Sequence, residues 1–196
     1  METDRHYPAE RVVSYDAHWP SAYRDFAAGL LHALGLAWEV EHVGSTSVPG
    51  LVAKPVIDLA LRLPAEQPLT HAAKTLVRAG WTTPVSLGDH WATFHLHDHV
   101  RTGIGHIFTA DQWDQAHVRL FARWLREHPD DRDRYARLKV DLLDRGLWGG
   151  DYTAAKTRFV HEIVNRARAE DGLPPLTHLR GRGRSESRCP VRIPTR

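Results

Sequence analysis

The chain has 196 residues, of which 42% are hydrophobic and 26% are charged, and its formal net charge is +2. This length is enough for one domain with a proper core, and the composition is ordinary for a globular protein. Residues 1–170 carry 20 basic and 22 acidic side chains, and this near-neutral balance argues against a nucleic-acid-binding body.

The first half of the chain predicts a helix, two strands and a second helix. Apolar residues recur with a helical period over 19–34, which is typical of an amphipathic helix. The stretches "WEVEHV" (38–43) and "VIDLALRL" (56–63) predict strands. A second helical stripe covers 69–77.

The second half predicts a pair of strands followed by three helices. "WATFHLHDHV" (91–100) and "GIGHIFT" (103–109) are predicted strands joined by a hairpin turn near residues 101–103. Three more amphipathic stripes predict helices over 113–125, 135–142 and 151–170. Helices at both ends with strands between them predict an α/β fold of the α+β type.

The C-terminal region differs in composition from the rest of the chain. From 172 to 196 the Pro, Gly, Ser and Arg content rises and periodicity ends, so we predict a domain over 1–171 and a disordered Arg-rich tail. We expect this tail to bind nucleic acid weakly at most. Cys189 is the single cysteine, so no internal disulfide forms and a cytoplasmic location is expected. No apolar signal segment or 18-residue apolar run occurs, so no membrane association is expected.

The most informative stretch is "EHVGSTSVPGLVAKPVIDLAL" (41–61). It is not a Walker A loop, because five residues separate Gly44 from Gly50 and Leu51 stands where Lys is required. The dinucleotide-binding glycine pattern is also absent. A Gly-Ser corner followed by an aspartate on the next strand fits a different arrangement. The corner would bind phosphate, and Asp58 would hold Mg²⁺ or act as a catalytic base.

Each candidate in this stretch also has a purely structural alternative. Gly44, Ser45 and Ser47 are candidate phosphate ligands, but the same residue types serve in turns and helix caps. Lys54 would offset phosphate charge, or it would pair with Asp58. An ionised Asp58 in an apolar strand needs such a partner, because unpaired burial of a charge is costly.

Four blocks of the sequence resemble the GrpB family, also known as UPF0157, and the resemblance spans about residues 12–168. They are "VSYDAHW" (13–19), "EHVGSTSVPGLVAKPVIDL" (41–59), "FARWLREHPDDRDRYARLK" (121–139) and "YTAAKTRFV" (152–160). The resemblance implies a nucleotidyltransferase-like mixed sheet flanked by about five helices. It also makes Lys139 and Lys156 candidate phosphate-binding residues. Related domains occur fused behind dephospho-CoA kinases, which suggests a nucleotide or coenzyme context.

Two features depart from what the resemblance implies. Active nucleotidyltransferases usually carry a second acid two residues after the first, and this chain has Ala60 there. The family often has a His-x-His strand shortly before the third helix. By pattern, this pair of histidines aligns with His95 and His97. By its distance from Trp113, the pair aligns with Ile104 and His106, and then only the second histidine is retained. His95 and His97 alternate on one strand face, as ligands of Zn²⁺ or Ni²⁺ or as solvated surface residues.

These observations predict binding of a nucleotide or another phosphorylated small molecule, with Mg²⁺ at the cleft between the Gly-Ser corner and Asp58. If the protein is an enzyme, the expected reaction is nucleotidyl transfer, with a further metal ligand supplied by the His strand or by Asp98. A catalytically inactive binding or regulatory domain is the first alternative, and the absence of an acid at position 60 favours it. The second alternative is a transition-metal site formed by His95, His97 or His106.

Overall fold

The structure is a computed structural model that describes residues 7–9 and 11–177. These residues form five α-helices, two short 3₁₀ helices and five strands. The α-helices are α1 (Trp19–Leu34), α2 (Leu69–Arg78), α3 (His117–Glu127), α4 (Pro129–Asp144) and α5 (Gly149–Glu170). The strands are β1 (Glu39–Val43), β2 (Ile57–Arg62), β3 (Val85–Ser86), β4 (Trp91–His97) and β5 (Val100–Phe108).

The five strands form one mixed sheet. Their order is β1-β2-β5-β4-β3, with β2 and β5 parallel and every other neighbouring pair antiparallel. The parallel pair is possible because a long crossover, which contains α2 and the β3–β4 hairpin, connects β2 to β5. This mixed sheet with five flanking helices confirms the predicted fold class.

Strand β2, which lies between β1 and β5, is buried on both faces of the sheet. On one face, fully buried Leu59 and Leu61 pack against α1 and α2. On the other face, Ala60 belongs to a second apolar cluster that reaches α3 and includes Phe108 and Trp113. A third cluster packs Val48, which lies between β1 and β2, against α3, α4 and α5. The last three helices therefore cover the side of the sheet on which Asp58 and Ala60 lie.

The predicted position of the β4–β5 turn is wrong by several residues. The turn lies at Asp98 and His99, with φ of 49° and 63°, and residues 101–103 lie inside β5. A two-residue hairpin turn of type I′ needs positive φ at both central positions, and its backbone twist matches that of the paired strands. Asp tolerates the left-handed region better than most residues do, whereas the prediction relied on Gly103.

The described part of the predicted tail is held on α5. The Leu176 amide donates to Asn165 Oδ1 at 2.8 Å, and a ring nitrogen of His161 lies 2.8 Å from the Leu176 carbonyl oxygen. Leu176 also packs against the cluster formed by α3, α4 and α5. The rest of the predicted tail, 178–196, lies outside the described residues, and its disorder stays a prediction.

None of the helices within residues 7–9 and 11–177 combines the length and apolar character needed to cross a membrane.

A buried carboxylate ties the three covering helices together. Asp131, near the start of α4, accepts hydrogen bonds from Trp124 Nε1 of α3 at 2.8 Å and from Arg166 of α5 at 3.1 Å. Arg134, one turn later on α4, also donates to it at 2.6 Å. Burial alone would raise the pKa of Asp131, but these donors outweigh it and lower the pKa below the ordinary 3.8.

We expect Asp131→Ala to lower the free energy of unfolding by about 2–3 kcal/mol, because it leaves a partly buried indole N–H and two arginine donors without their acceptor. Asp133→Ala is the matched control, since Asp133 is exposed, and its cost should stay below about 0.5 kcal/mol. Urea unfolding measures both values. Because the folded pKa of Asp131 is lowered, its contribution is present above pH 3.8 and is lost as the pH falls through the lowered value. A difference in the free energy of unfolding between the wild type and Asp131→Ala that does not decrease in acid would contradict this role of Asp131.

The corner between β1 and β2 requires glycine at position 44. Gly44 has φ 68° and ψ −172°, a region of backbone space that is almost restricted to glycine. A Cβ added there would lie 2.3 Å from Asp58 Oδ2 and 2.7 Å from Asp58 Cβ. Because the Asp58 Cβ is fixed by the backbone of β2, rotation of the Asp58 side chain cannot remove this clash. The missing side chain of Gly44 is what allows the corner to lie directly against Asp58.

Gly44→Ala should therefore cost more than backbone strain alone. We expect a loss of about 3 kcal/mol or more in the free energy of unfolding, since an unfavourable backbone conformation costs about 1–3 kcal/mol before any clash. Gly50→Ala separates the two effects, because Gly50 also has a positive φ but an added Cβ meets no atom within 4 Å. Its expected loss is about 1–2 kcal/mol. Equal losses in the two variants would show that the contact with Asp58 is not a constraint.

Candidate functional site

Asp58 lies near the start of β2 with its carboxylate pointing toward the covering helices. Its side chain keeps 27% of its surface exposed, so it is accessible to a ligand or ion. In the strand register, Ile104 pairs with Asp58 and His106 pairs with Ala60, so all four share one face. His106 Nε2 lies 3.7 Å from Asp58 Oδ1. An imidazole from β5 thus lies beside the position at which the second carboxylate was expected on β2.

The Gly44–Ser47 corner uses its two serines differently. Ser45 Oγ accepts a hydrogen bond from Lys139 Nζ at 3.1 Å. Ser47 Oγ donates to the Gly44 carbonyl at 2.8 Å and accepts from Arg126 Nη2 at 2.9 Å. Ser47 thus has the turn-forming contacts of the structural alternative, whereas Ser45 faces the cationic side of the site.

Three of the chain's four lysines gather around this corner. Lys139, on α4, is 2% exposed, bonds to Ser45 and donates to the Val52 carbonyl. Lys156, on α5, has its ammonium 4.4 Å from the centre of the Tyr152 ring. Lys54 Nζ lies 4.7 Å from the same ring and 4.1 Å from the Trp148 ring. We call Lys54, Lys139 and Lys156 the lysine cluster.

Burial and mutual repulsion disfavour the charged forms of the lysines in the cluster. Burial, and next the neighbouring Lys156, lower the pKa of Lys139 well below its ordinary value. Burial, and next the neighbouring Lys54, lower the pKa of Lys156 to about 7. For both lysines, the carboxylate of Asp58 acts in the opposite direction. An additional anion near Asp58 would relieve the repulsion within the cluster and favour the charged lysines.

Two aromatic side chains complete the surroundings of Asp58. Burial raises the pKa of the Tyr135 phenol, whose ring lies 4.6 Å from Lys139 Nζ. His42 stacks on Tyr23 and approaches Thr46 Oγ1 at 3.0 Å. Burial lowers the pKa of His42 to about 4, so this imidazole is neutral at pH 7.

The sheet separates the predicted histidines. His95 pairs with Gly103, and its ring packs against Phe26 and Trp81 on the face covered by α1. There it borders a cavity of about 650 Å³ that is lined by residues of α1 and α2. His97 is exposed beside Asp98. Of the two alignments of the His-x-His strand, the one that retains His106 therefore brings a histidine to Asp58.

Several residues near the site were not expected from the sequence. Arg126 donates to Ser47 and to the His42 carbonyl, and so fixes the corner from α3. His90 precedes β4, and its Nε2 lies 3.0 Å from His106 Nδ1. Arg126 is one of many charged residues on its helix, and no local pattern marks His90. Their positions depend on elements that meet only in the folded chain.

The site combines a group of lysine and serine side chains with a carboxylate. Ser45 and the lysine cluster offer one hydroxyl and three cationic groups, which suit phosphate oxygens. Asp58 and His106 offer an oxygen and a nitrogen on the same side, which suit a general base or part of a cation site. A phosphorylated ligand with or without a bound cation satisfies both halves of this arrangement.

Comparisons with known proteins agree on one family. The family model described as GrpB protein matches residues 10–166. The UPF0157 protein BH1888 of Halalkalibacterium halodurans is 35% identical over 172 residues, which are 86% of this chain and 87% of that protein. The UPF0157 protein PA4798 of Pseudomonas aeruginosa is 33% identical over 182 residues, covering 89% of this chain and 74% of that protein.

Two further similarities concern a solved structure and a longer protein. The crystal structure of conserved protein GrpB from Enterococcus faecalis superposes with a TM-score of 0.71 at 26% identity, over 82% of this chain and 99% of that one. A dephospho-CoA kinase of Mycolicibacterium paratuberculosis is 29% identical in an alignment of 186 positions that covers 80% of this chain but 46% of that protein. The match of the family model over most of the chain, together with relatives above 30% identity, establishes that the chain belongs to the GrpB family.

Proposed function

We propose that the site binds the phosphate groups of a nucleotide or another phosphorylated small molecule. The observation that carries the proposal is the convergence of the lysine cluster on Ser45 and Asp58. The charge of Asp58 acts on both Lys139 and Lys156, Lys54 lies next to Lys156, and Lys139 is almost fully buried. Burying charge without a counter-charge is costly, so a second anion in this place would stabilise the charged lysines, and phosphate suits this role.

The position of each group suggests its role. Lys139 and Ser45, already joined by a hydrogen bond, would contact the phosphate oxygens. Lys156 would add charge from the next helix, and Lys54 would do so from the strand side. Asp58 would hold Mg²⁺ together with phosphate oxygens and water, and this ion would offset phosphate charge. One carboxylate and phosphate oxygens suit Mg²⁺, which prefers oxygen ligands and keeps several waters.

If the site is catalytic, nucleotidyl transfer is the reaction that it suits best. The oxygen of an acceptor hydroxyl would bond to the α-phosphorus while the bond to the bridging oxygen breaks and pyrophosphate leaves. Asp58 or His106 would take the proton of the hydroxyl, since they lie 3.7 Å apart on the same face. Ala60 favours the catalytically inactive alternative, because two-metal chemistry needs more anionic ligands than Asp58 alone.

The similarity to dephospho-CoA kinases guides the choice of ligands. The chain matches less than half of those proteins, so their activity is not carried over to it. Their name nevertheless makes phosphorylated coenzyme precursors a sensible addition to ATP, GTP, CTP and UTP in a binding screen.

Binding should depend on the lysine cluster and not on lysines in general. We expect a ligand from this screen to bind in isothermal titration calorimetry, and Lys139→Met or Lys156→Met to weaken it about 10- to 100-fold, the effect of losing one charge-assisted hydrogen bond. Lys74→Met is the control, because Lys74 is the fourth lysine and lies exposed on α2. If no phosphorylated ligand binds, or if Lys74→Met weakens binding equally, the proposed function fails.

Asp58→Asn distinguishes the roles assigned to magnesium and to catalysis. We expect Mg²⁺ to strengthen nucleotide binding to the wild type, measured as a further rise in the melting temperature, and Asp58→Asn to abolish this additional rise. Pyrophosphate released by the wild type and not by Asp58→Asn indicates an enzyme. Binding without pyrophosphate release indicates the inactive domain. A rise that persists in Asp58→Asn would contradict a magnesium site at Asp58.

The lowered pKa of Lys156 predicts a pH dependence of binding near neutrality. With a pKa of about 7, Lys156 is mostly charged at pH 6 and mostly neutral at pH 8.5. We expect nucleotide affinity, measured without Mg²⁺, to fall by roughly tenfold between these values, beyond the change caused by the ligand's own titration. The Lys156→Met variant measures the change that is caused by titration of the ligand alone. If the wild type and this variant show the same dependence of nucleotide affinity on pH, the role assigned to Lys156 is contradicted.

A further inference from the structure

A second group of polar side chains, separate from the lysine cluster, lies next to His106. Asp89 and His90 precede β4, and His117 begins α3. His90 Nδ1 lies 2.7 Å from Asp89 Oδ1, and His117 Nδ1 lies 3.4 Å from Asp89 Oδ2. Among the residues that the structure describes, these three form a group whose ligand atoms all lie within 4.8 Å of one another. Two imidazole nitrogens and a carboxylate thus lie close enough together to hold one ion.

The group is held in place by its surroundings. The His90 ring stacks on Phe108, with ring centres 4.7 Å apart, and it meets the edge of the His117 ring at 5.2 Å. Gln112 Nε2 donates to the Asp89 carbonyl at 2.7 Å, which ties the β3–β4 loop to the segment after β5. His90 is 5% exposed, whereas the Asp89 carboxylate is half exposed. An ion therefore has an open approach to ligands that are already oriented.

The distances suit a small transition-metal ion better than Mg²⁺. Ligand atoms around a tetrahedral Zn²⁺ with bonds of about 2.0–2.1 Å lie roughly 3.3–3.4 Å apart. The separation between His117 and Asp89 already has this value. The contact between His90 and Asp89 is a hydrogen bond and would open by roughly 0.6 Å when an ion replaces its proton. Two imidazoles favour Zn²⁺ or a similar ion, since Mg²⁺ selects oxygen ligands.

The second nitrogen of His90 supports the same assignment. Its Nε2 lies 3.0 Å from His106 Nδ1, and His106 Nε2 faces Asp58. A metal on His90 Nδ1 leaves the proton on Nε2, which then donates to His106. Metal-bound histidines almost always donate their other ring N–H to such a partner, because this fixes the ring and the tautomer.

We infer that Asp89, His90 and His117 form a binding site for a transition-metal ion such as Zn²⁺, with His90 Nδ1, His117 Nδ1 and an Asp89 oxygen as the protein ligands. The fourth position is open to water through the exposed side of Asp89. This site does not depend on the proposed function, because none of its ligands belongs to the lysine cluster or to the Gly44–Ser47 corner. It differs from the site predicted at His95 and His97, which lie elsewhere in the fold.

The experiment titrates metal-free, untagged protein with Zn²⁺ in competition with a chromophoric chelator. We expect saturable binding of one ion per chain, weakened at least about tenfold in His117→Gln and Asp89→Asn, since even the loss of a hydrogen-bonding partner of a ligand costs this much. The double variant His95→Ala/His97→Ala is the matched control and should retain wild-type affinity. Binding that is absent, or that persists in His117→Gln, overturns the site. Loss in the double variant overturns it as well.

A spectroscopic measurement keeps the inference testable if a ligand variant fails to fold. In wild-type protein labelled with ¹⁵N in its histidine rings, Zn²⁺ should shift the Nδ1 resonances of His90 and His117 and leave those of His95 in place. Zn²⁺ that shifts His95 and not His90 or His117 overturns the inference.

Discussion

The hydrogen bond between Lys139 and Ser45 is the contact on which the site depends. It joins residues 94 positions apart in the chain and connects a covering helix to the corner between β1 and β2. Because Lys139 is almost fully buried, its charge cannot be solvated by bulk water and must be met by nearby groups. Ser45, the Val52 carbonyl and Asp58 supply part of that compensation, and the lowered pKa of Lys139 shows that it is incomplete. A bound anion would supply the rest of the compensation for the charge of Lys139.

The sheet explains why Asp58 works with a histidine and not with a second carboxylate. Parallel pairing of β2 with β5 puts His106 next to Ala60, and both lie on the face of Asp58. From His106 the contacts continue through His90 to Asp89 and His117. The proposed phosphate-binding site and the inferred metal site therefore meet at the imidazole of His106.

The fold and the candidate site were predictable from the sequence to different degrees. Helices and strands follow from local periodicity, and the "EHVGSTSVPGLVAKPVIDL" block supported the family that the comparisons then established. The β4–β5 turn was misplaced because glycine was taken as its marker, whereas Asp98 and His99 adopt the positive φ values. Arg126 escaped notice because an arginine on a charged helix resembles a solvated one in the absence of tertiary contacts.

The sequence by itself determined the main helices and strands, the corner at Gly44 and the candidacy of Asp58, since these depend on residues close together in the chain, and the mixed sheet was implied by the family resemblance. It also singled out Lys139 and Lys156, through the scarcity of lysine and the family resemblance. Only the tertiary structure decided that these lysines meet Ser45 and Asp58, that His106 lies with Asp58 while His95 lies on the opposite face, and that Asp89, His90 and His117 converge. The reason is physical: strand register and helix packing set distances between residues far apart in sequence, and no local pattern encodes those distances.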